Sequence, residues 1–174
     1  MNYFTGEGIN KKLRTRPRIY VDPSAPKTDS GPIVKAKVQN VRELERRAFD
    51  LLNQKRMEFG LTPVVWSDEV ARIARIHSTN MARFNFFSHQ GLDGLMVNDR
   101  AEMSGLKDWR RIGENIAYNR GYDDPVESAV VGWMKSASHR QNLLSNKWKE
   151  SGVGVALAPD GKTYYFTQVF VLRK

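Results

Sequence analysis

The stretch "SGVGVALAPDGKTYYFTQVFV", residues 151–171, decides how the rest of the chain is read. Two runs rich in β-branched and aromatic residues flank "PDG", a turn signal, so the spacing predicts an antiparallel hairpin. Upstream the hydrophobic period is helical. Val41, Leu44, Ala48, Leu51 and Leu52 recur at three- and four-residue steps, with Arg42, Glu45 and Arg46 on the opposite, solvent side. This helix is expected to end near Gly60. "LTPVVWSDEV" follows as an extended link, and Ser67 caps a second helix striped by Val70, Ile73, Ala74, His77, Met81 and Phe84. A short third helix is expected through "LMVNDRAEMSG". A fourth opens at Pro125 behind Asp124, and a strand lies near "GENIAY". Helices first and strands last predict an α+β fold, with helices flanking a small antiparallel sheet.

The 174 residues suffice for one domain with a sizeable core. There is no cysteine, which excludes disulfides, thiolate nucleophiles and cysteine metal sites. No apolar run reaches the roughly 18 residues of a membrane span. "MNYFTGEGINKKLRTR" lacks the apolar stretch of a secretory signal, so the expectation is a cytosolic protein or one whose signal has been removed. Net charge is +9, and residues 1–40 hold eight basic and three acidic side chains, hence +5 of it. Residues 1–37, with four prolines and no helical period, are expected to form an extended basic arm, and residues 38–174 the domain. The domain is only mildly basic, so nucleic acid is not an expected partner. For the arm the leading expectation is a solvated tail that aids solubility, with an electrostatic tether to an anionic envelope surface as the alternative.

The three histidines divide into two kinds. His77 lies on an apolar helical stripe and is expected in the core with one hydrogen bond. His89, in "NFFSHQGLDG", and His139, in "SASHRQNLL", fit no such stripe. Between them Glu114 sits in the apolar segment "GENIA", where an unpaired carboxylate is costly and needs a partner. Two imidazoles and a carboxylate suit an open zinc site, metal-free acid–base chemistry, or a hydrogen-bond network that only ties loops to the sheet. No metalloprotease helix motif, nucleophile elbow or phosphate loop is present. Of the aromatic residues, Trp133 is expected in the core, and Trp109 and Trp148 partly exposed.

The segments "HSTNMARFNFFSHQGLDG", "DRAEMSG", "GENIAYN", "VVGWMKSASHRQNLL", "SGVGVALAPDG" and "YYFTQVF", in this order over roughly residues 40–172, resemble the CAP domain (cysteine-rich secretory proteins, antigen 5, pathogenesis-related 1) in its bacterial form. The resemblance implies an α–β–α sandwich. It implies that His89, Glu114 and His139 line one cleft, and that His89 and His139 take zinc or another divalent ion. Asn115 and Ser138 are the neighbouring cleft-lining candidates. Lys135 and Ser136 stand where the eukaryotic branch has a second cleft acid, which puts any two-carboxylate mechanism in doubt. The expected function is a secreted or envelope-associated binding module with a metal cleft and a lipid, sterol or glycan ligand. The alternative is a metal-dependent hydrolase acting on peptide or cell-wall substrates, with Glu114 as the candidate catalytic residue.

Overall fold

The computed structural model describes residues 40–174, so the arm expected over residues 1–37 lies outside the described residues. The first helix, α1 (Val41–Glu58), is capped by Asn40, whose side chain accepts the Arg42 N–H. A two-residue strand, β1 (Val65–Trp66), leads into α2 (Asp68–Phe84). Ser67 caps α2, as its sequence predicts, and Asp68 and Glu69 occupy its first turn, where the helix dipole favours acids. Next come α3 (Val97–Met103) and the long strand β2 (Trp109–Arg120). Asp124 caps α4 (Pro125–Lys135) by accepting from two backbone N–H groups, and proline sits in the first turn. A fifth helix, α5 (Ala137–Leu143), precedes the hairpin of β3 (Glu150–Leu157) and β4 (Thr163–Arg173).

The hairpin and β2 form an antiparallel unit in which β4 is central, and the strand order is β1-β3-β4-β2. The sheet is not purely antiparallel, because β1 pairs with β3 in parallel, through Val65 and Trp66 only. So the extended link after α1 adds a fourth, mixed-direction edge.

Alternation along the strands separates two cores. On one face Phe166, Phe170, Val153 and Val155 pack against α1, α4 and Trp133. On the other, Val169, Val171 and Ile116 meet α2 and the segment before β2. The chain is thus an α–β–α sandwich. The α2 face is very close. A Cβ at Gly152 would stand 2.2 Å from the Ala71 backbone nitrogen, and one at Gly154 as near to that of Arg75. Only glycine lets the helix sit at this depth.

Two residues depart from the helical-stripe reading. Phe84, in the last turn of α2, is partly exposed rather than core. Glu45 is buried instead of facing solvent, because α1 crosses the sheet where β3 runs past the end of β1. There its carboxylate receives the Val155 N–H at 3.3 Å and both nitrogens of Arg75's fork. Periodicity places a residue on a face but does not see an ion pair waiting on the neighbouring helix. Trp133 is fully buried as expected, and its indole N–H donates to the Ile116 carbonyl.

Candidate functional site

Strand β2 forms one edge of the sheet, and α4 and α5 close over part of it. The outward carbonyls of Glu114 and Ile116 accept from the side chains of Asn142 and Trp133. This capping satisfies an edge that would otherwise be open to pairing. A depression of about 390 Å³ remains between α5, β2 and the loop after α2, and His89, Glu114, Asn115, Ser138 and His139 all line it. The structure therefore brings together the residues singled out in the sequence, with His89 supplied from the α2 side and His139 from α5.

Glu114 sits at the centre, its side chain only 3% exposed. Oε1 accepts the Nδ1–H of His89 at 2.8 Å, and Oε2 accepts from Arg100 Nη2 at 2.5 Å. Donation from Nδ1 leaves the Nε2 lone pair of His89 as the free ring nitrogen. Arg100, on α3, is equally buried and also donates to the carbonyls of His89 and Leu95. It therefore fixes both the carboxylate and the loop that carries the histidine. This residue was not recognisable in the sequence, where "NDRAEM" reads as the charged side of a short helix.

His139 is half-buried, and burial, helped by the neighbouring His89, holds its pKa below the usual imidazole value. Its backbone carbonyl accepts from Asn115 Nδ2 at 3.2 Å, and Asn142 donates in turn to Asn115 Oδ1. Asn115 thus ties α5 to β2, while among the described residues the exposed Ser138 side chain reaches only Ser136, at 3.4 Å. Gly113 makes this wall possible. A Cβ there would meet Asn142 Oδ1 at 2.7 Å and the Trp148 ring at 2.8 Å. His77 lies behind the site, fully buried, with Nε2 donating to the Ser88 carbonyl at 2.9 Å. Its Nδ1 has no partner among the described residues, and burial pushes its pKa down.

The rings of His89 and His139 face each other with centroids 6.5 Å apart and planes at 41°. Two imidazoles on a tetrahedral zinc, each nitrogen at about 2.1 Å, have centroids about 5 Å apart. Because Glu114 holds His89, closing that gap falls to the half-buried His139 side chain, which makes no hydrogen bond among the described residues. Among the described residues no three of His, Asp and Glu are grouped to hold a metal. Both Glu114 oxygens are committed, so the carboxylate orients His89 instead of serving as a third ligand. Two histidines alone would leave the remaining positions of any bound ion to water or a ligand, as in an open site and not a closed structural one.

The family model described as the cysteine-rich secretory protein family, CAP, matches residues 49–170. The membrane protein YlbC of Bacillus subtilis is 40% identical over 129 residues, covering 74% of this chain and 34% of YlbC. YkwD of the same organism is 32% identical over 115 residues, covering 66% of this chain and 43% of YkwD. The chain thus spans less than half the length of the curated relatives it matches. Among solved structures, an extracellular protein containing an SCP domain from Bacillus anthracis superposes with a TM-score of 0.65 at 31% identity. That match covers 83% of this chain and 45% of the other.

Proposed function

The chain belongs to the cysteine-rich secretory protein (CAP) family, and from that premise we propose that it is a binding module acting outside the cytoplasm, its cleft holding a divalent ion between His89 and His139. One observation carries the reading: two imidazoles face each other across an open depression, and one of them is locked by a buried carboxylate–arginine pair. Such locking fixes the tautomer and ring direction, as it does around metal-ligating histidines generally. The similarity to an extracellular protein supports the location, and no helix among the described residues is long and apolar enough to cross a membrane.

The Glu114–His89 pair also supports a hydrolytic reading, since an oriented imidazole with a free Nε2 is a competent general base. Glu114 itself is too enclosed to reach a substrate, so in that reading it positions His89. Titration calorimetry with zinc on the wild type and on the His89→Ala, His139→Ala double variant tests the metal cleft. Binding is expected in the first and absent in the second, and equal binding by both overturns the reading. Turnover of a peptide or cell-wall substrate, lost both on chelation and on Glu114→Ala, would select the hydrolase.

A further inference from the structure

The charges around the cleft are unbalanced. Its lining includes Arg111 and Lys147, both exposed, and neither forms an ion pair with any carboxylate among the described residues. Among the described residues the only acid in the lining is Glu114, and its two oxygens are taken by Arg100 and His89. Arg111 lies on β2 two and four residues before Gly113 and Asn115, so by strand alternation it shares their face, the one that Asn142 and Trp148 pack against. Lys147 comes from the loop beside Trp148. Gln141 and the serines of the lining add neutral hydrogen-bonding groups. Among the described residues the cleft therefore presents an arginine fork, an ammonium and hydroxyls, with no free carboxylate to repel an anion.

We propose that this cleft binds a phosphate-bearing ligand, with Arg111 and Lys147 gripping the phosphate. The proposal rests on reading the cleft as a binding site, but it requires no metal. An arginine fork matches two phosphate oxygens at once, and a lysine beside it supplies a point charge. The volume of about 390 Å³ exceeds what a bare phosphate needs and falls within the range of small-molecule sites, so a phosphate ester fits better than the free ion. Serine hydroxyls and the Gln141 amide suit the hydroxyls of a polyol attached to such a phosphate.

The test is a chemical-shift titration of the full chain with glycerol 3-phosphate, in a chelator and at fixed low ionic strength. Saturable shifts are expected at the amides of Arg111 and residues 145–148. Arg111→Gln and Lys147→Gln should each weaken affinity about tenfold or more, as loss of a charge-assisted hydrogen bond does. Arg83→Gln, the same charge change at the end of α2, should leave affinity unchanged. Absence of saturation, an equal effect of chloride, or an equal loss with Arg83→Gln would overturn the proposal. A second arm uses phosphatidylglycerol vesicles. Competition with glycerol 3-phosphate identifies a lipid headgroup as the source, and absence of competition a soluble ester. Zinc calorimetry on the same variants keeps the two readings apart. Zinc bound without phosphate removes this proposal alone, and phosphate bound without zinc upholds it while removing the metal.

Discussion

Among the described residues two carboxylates are buried against arginine, and they are used differently. Glu45 gives its oxygens to Arg75, to Arg42 and to the Val155 N–H on β3. Every partner belongs to the framework, and the pair joins α1, α2 and the strand. Glu114 gives one oxygen to the framework through Arg100 and the other to His89, whose side chain is 44% exposed at a cleft. An ion pair spent wholly inside the fold is structural, whereas one that spends half its capacity on a solvent-facing imidazole holds that imidazole for a task. The cations differ as well. Arg100 is 7% exposed, whereas Arg75 is 24% and Arg42 60% exposed. Remove the acid, and Arg75 and Arg42 can turn to water, but Arg100 cannot.

That difference sets the largest expected effect. Glu114→Ala strands a buried guanidinium, a change that typically loses about 3–5 kcal/mol. Glu114→Gln should lose less, because its amide oxygen still accepts from Arg100. It should nevertheless weaken zinc binding by about 10–100-fold, since His89 loses a charged acceptor. Chemical denaturation of both variants, with zinc calorimetry on the Gln form, checks this. An unchanged midpoint for Glu114→Ala would break the comparison at its root.

The sequence made one of these pairs legible and hid the other. Glu114 stood out because it interrupts an apolar strand, and His89 because it fits no helical stripe. Glu45 sits among Arg42, Arg46 and Arg47 at surface spacing, and nothing local distinguishes it from a solvated acid. Arg100 and Arg111 were hidden for the same reason, since their partners and their cleft are assembled from distant elements. The hairpin, β2 and four helices followed from period, caps and turn residues. The two pieces not foreseen are short: β1 has two residues, and α5 has seven with no side-chain cap. Their placement comes from tertiary contact, not local propensity.

Glu45→Ala is the converse experiment. Its arginines reach solvent, so the loss should be smaller, about 1–3 kcal/mol, mainly from the unpaired Val155 N–H and the emptied space. Zinc affinity should match the wild type. A zinc defect in this variant would show that the two pairs are coupled through α2 and are not separate devices.

Gly113→Ala sharpens the comparison from the wall of the cleft. The new methyl would meet Asn142 and Trp148 well inside contact distance, and overpacking of this kind typically loses about 1–3 kcal/mol. Because Asn142 also holds Asn115, which holds the His139 carbonyl, the strain should move His139 and leave the His89–Glu114 bond alone. NMR signals of His139 are therefore expected to shift more than those of His89. Equal shifts would mean that the site moves as one body.

The smallest effect is in pH. His77 and His139 both have pKa values below the ordinary imidazole value, in each case chiefly because burial disfavours the cation. A histidine depressed in the fold binds its proton less readily there than in the unfolded chain, whose value is about 6.5. Its contribution to stability is therefore fully present above about pH 6.5 and is lost as pH falls through the lower, folded value. The chain's three histidines are the two of the cleft and the one behind it, so acid sensitivity in this window should belong to the Glu114 side and not to Glu45. Denaturation midpoints should fall from pH 7.5 to pH 5.5, and His77→Gln, which keeps a donor for the Ser88 carbonyl, should flatten that slope. Glu45→Ala should lower the whole curve without changing its shape. A slope that survives His77→Gln together with His139→Asn would place the acid-sensitive group elsewhere and dissolve the distinction between the two carboxylates.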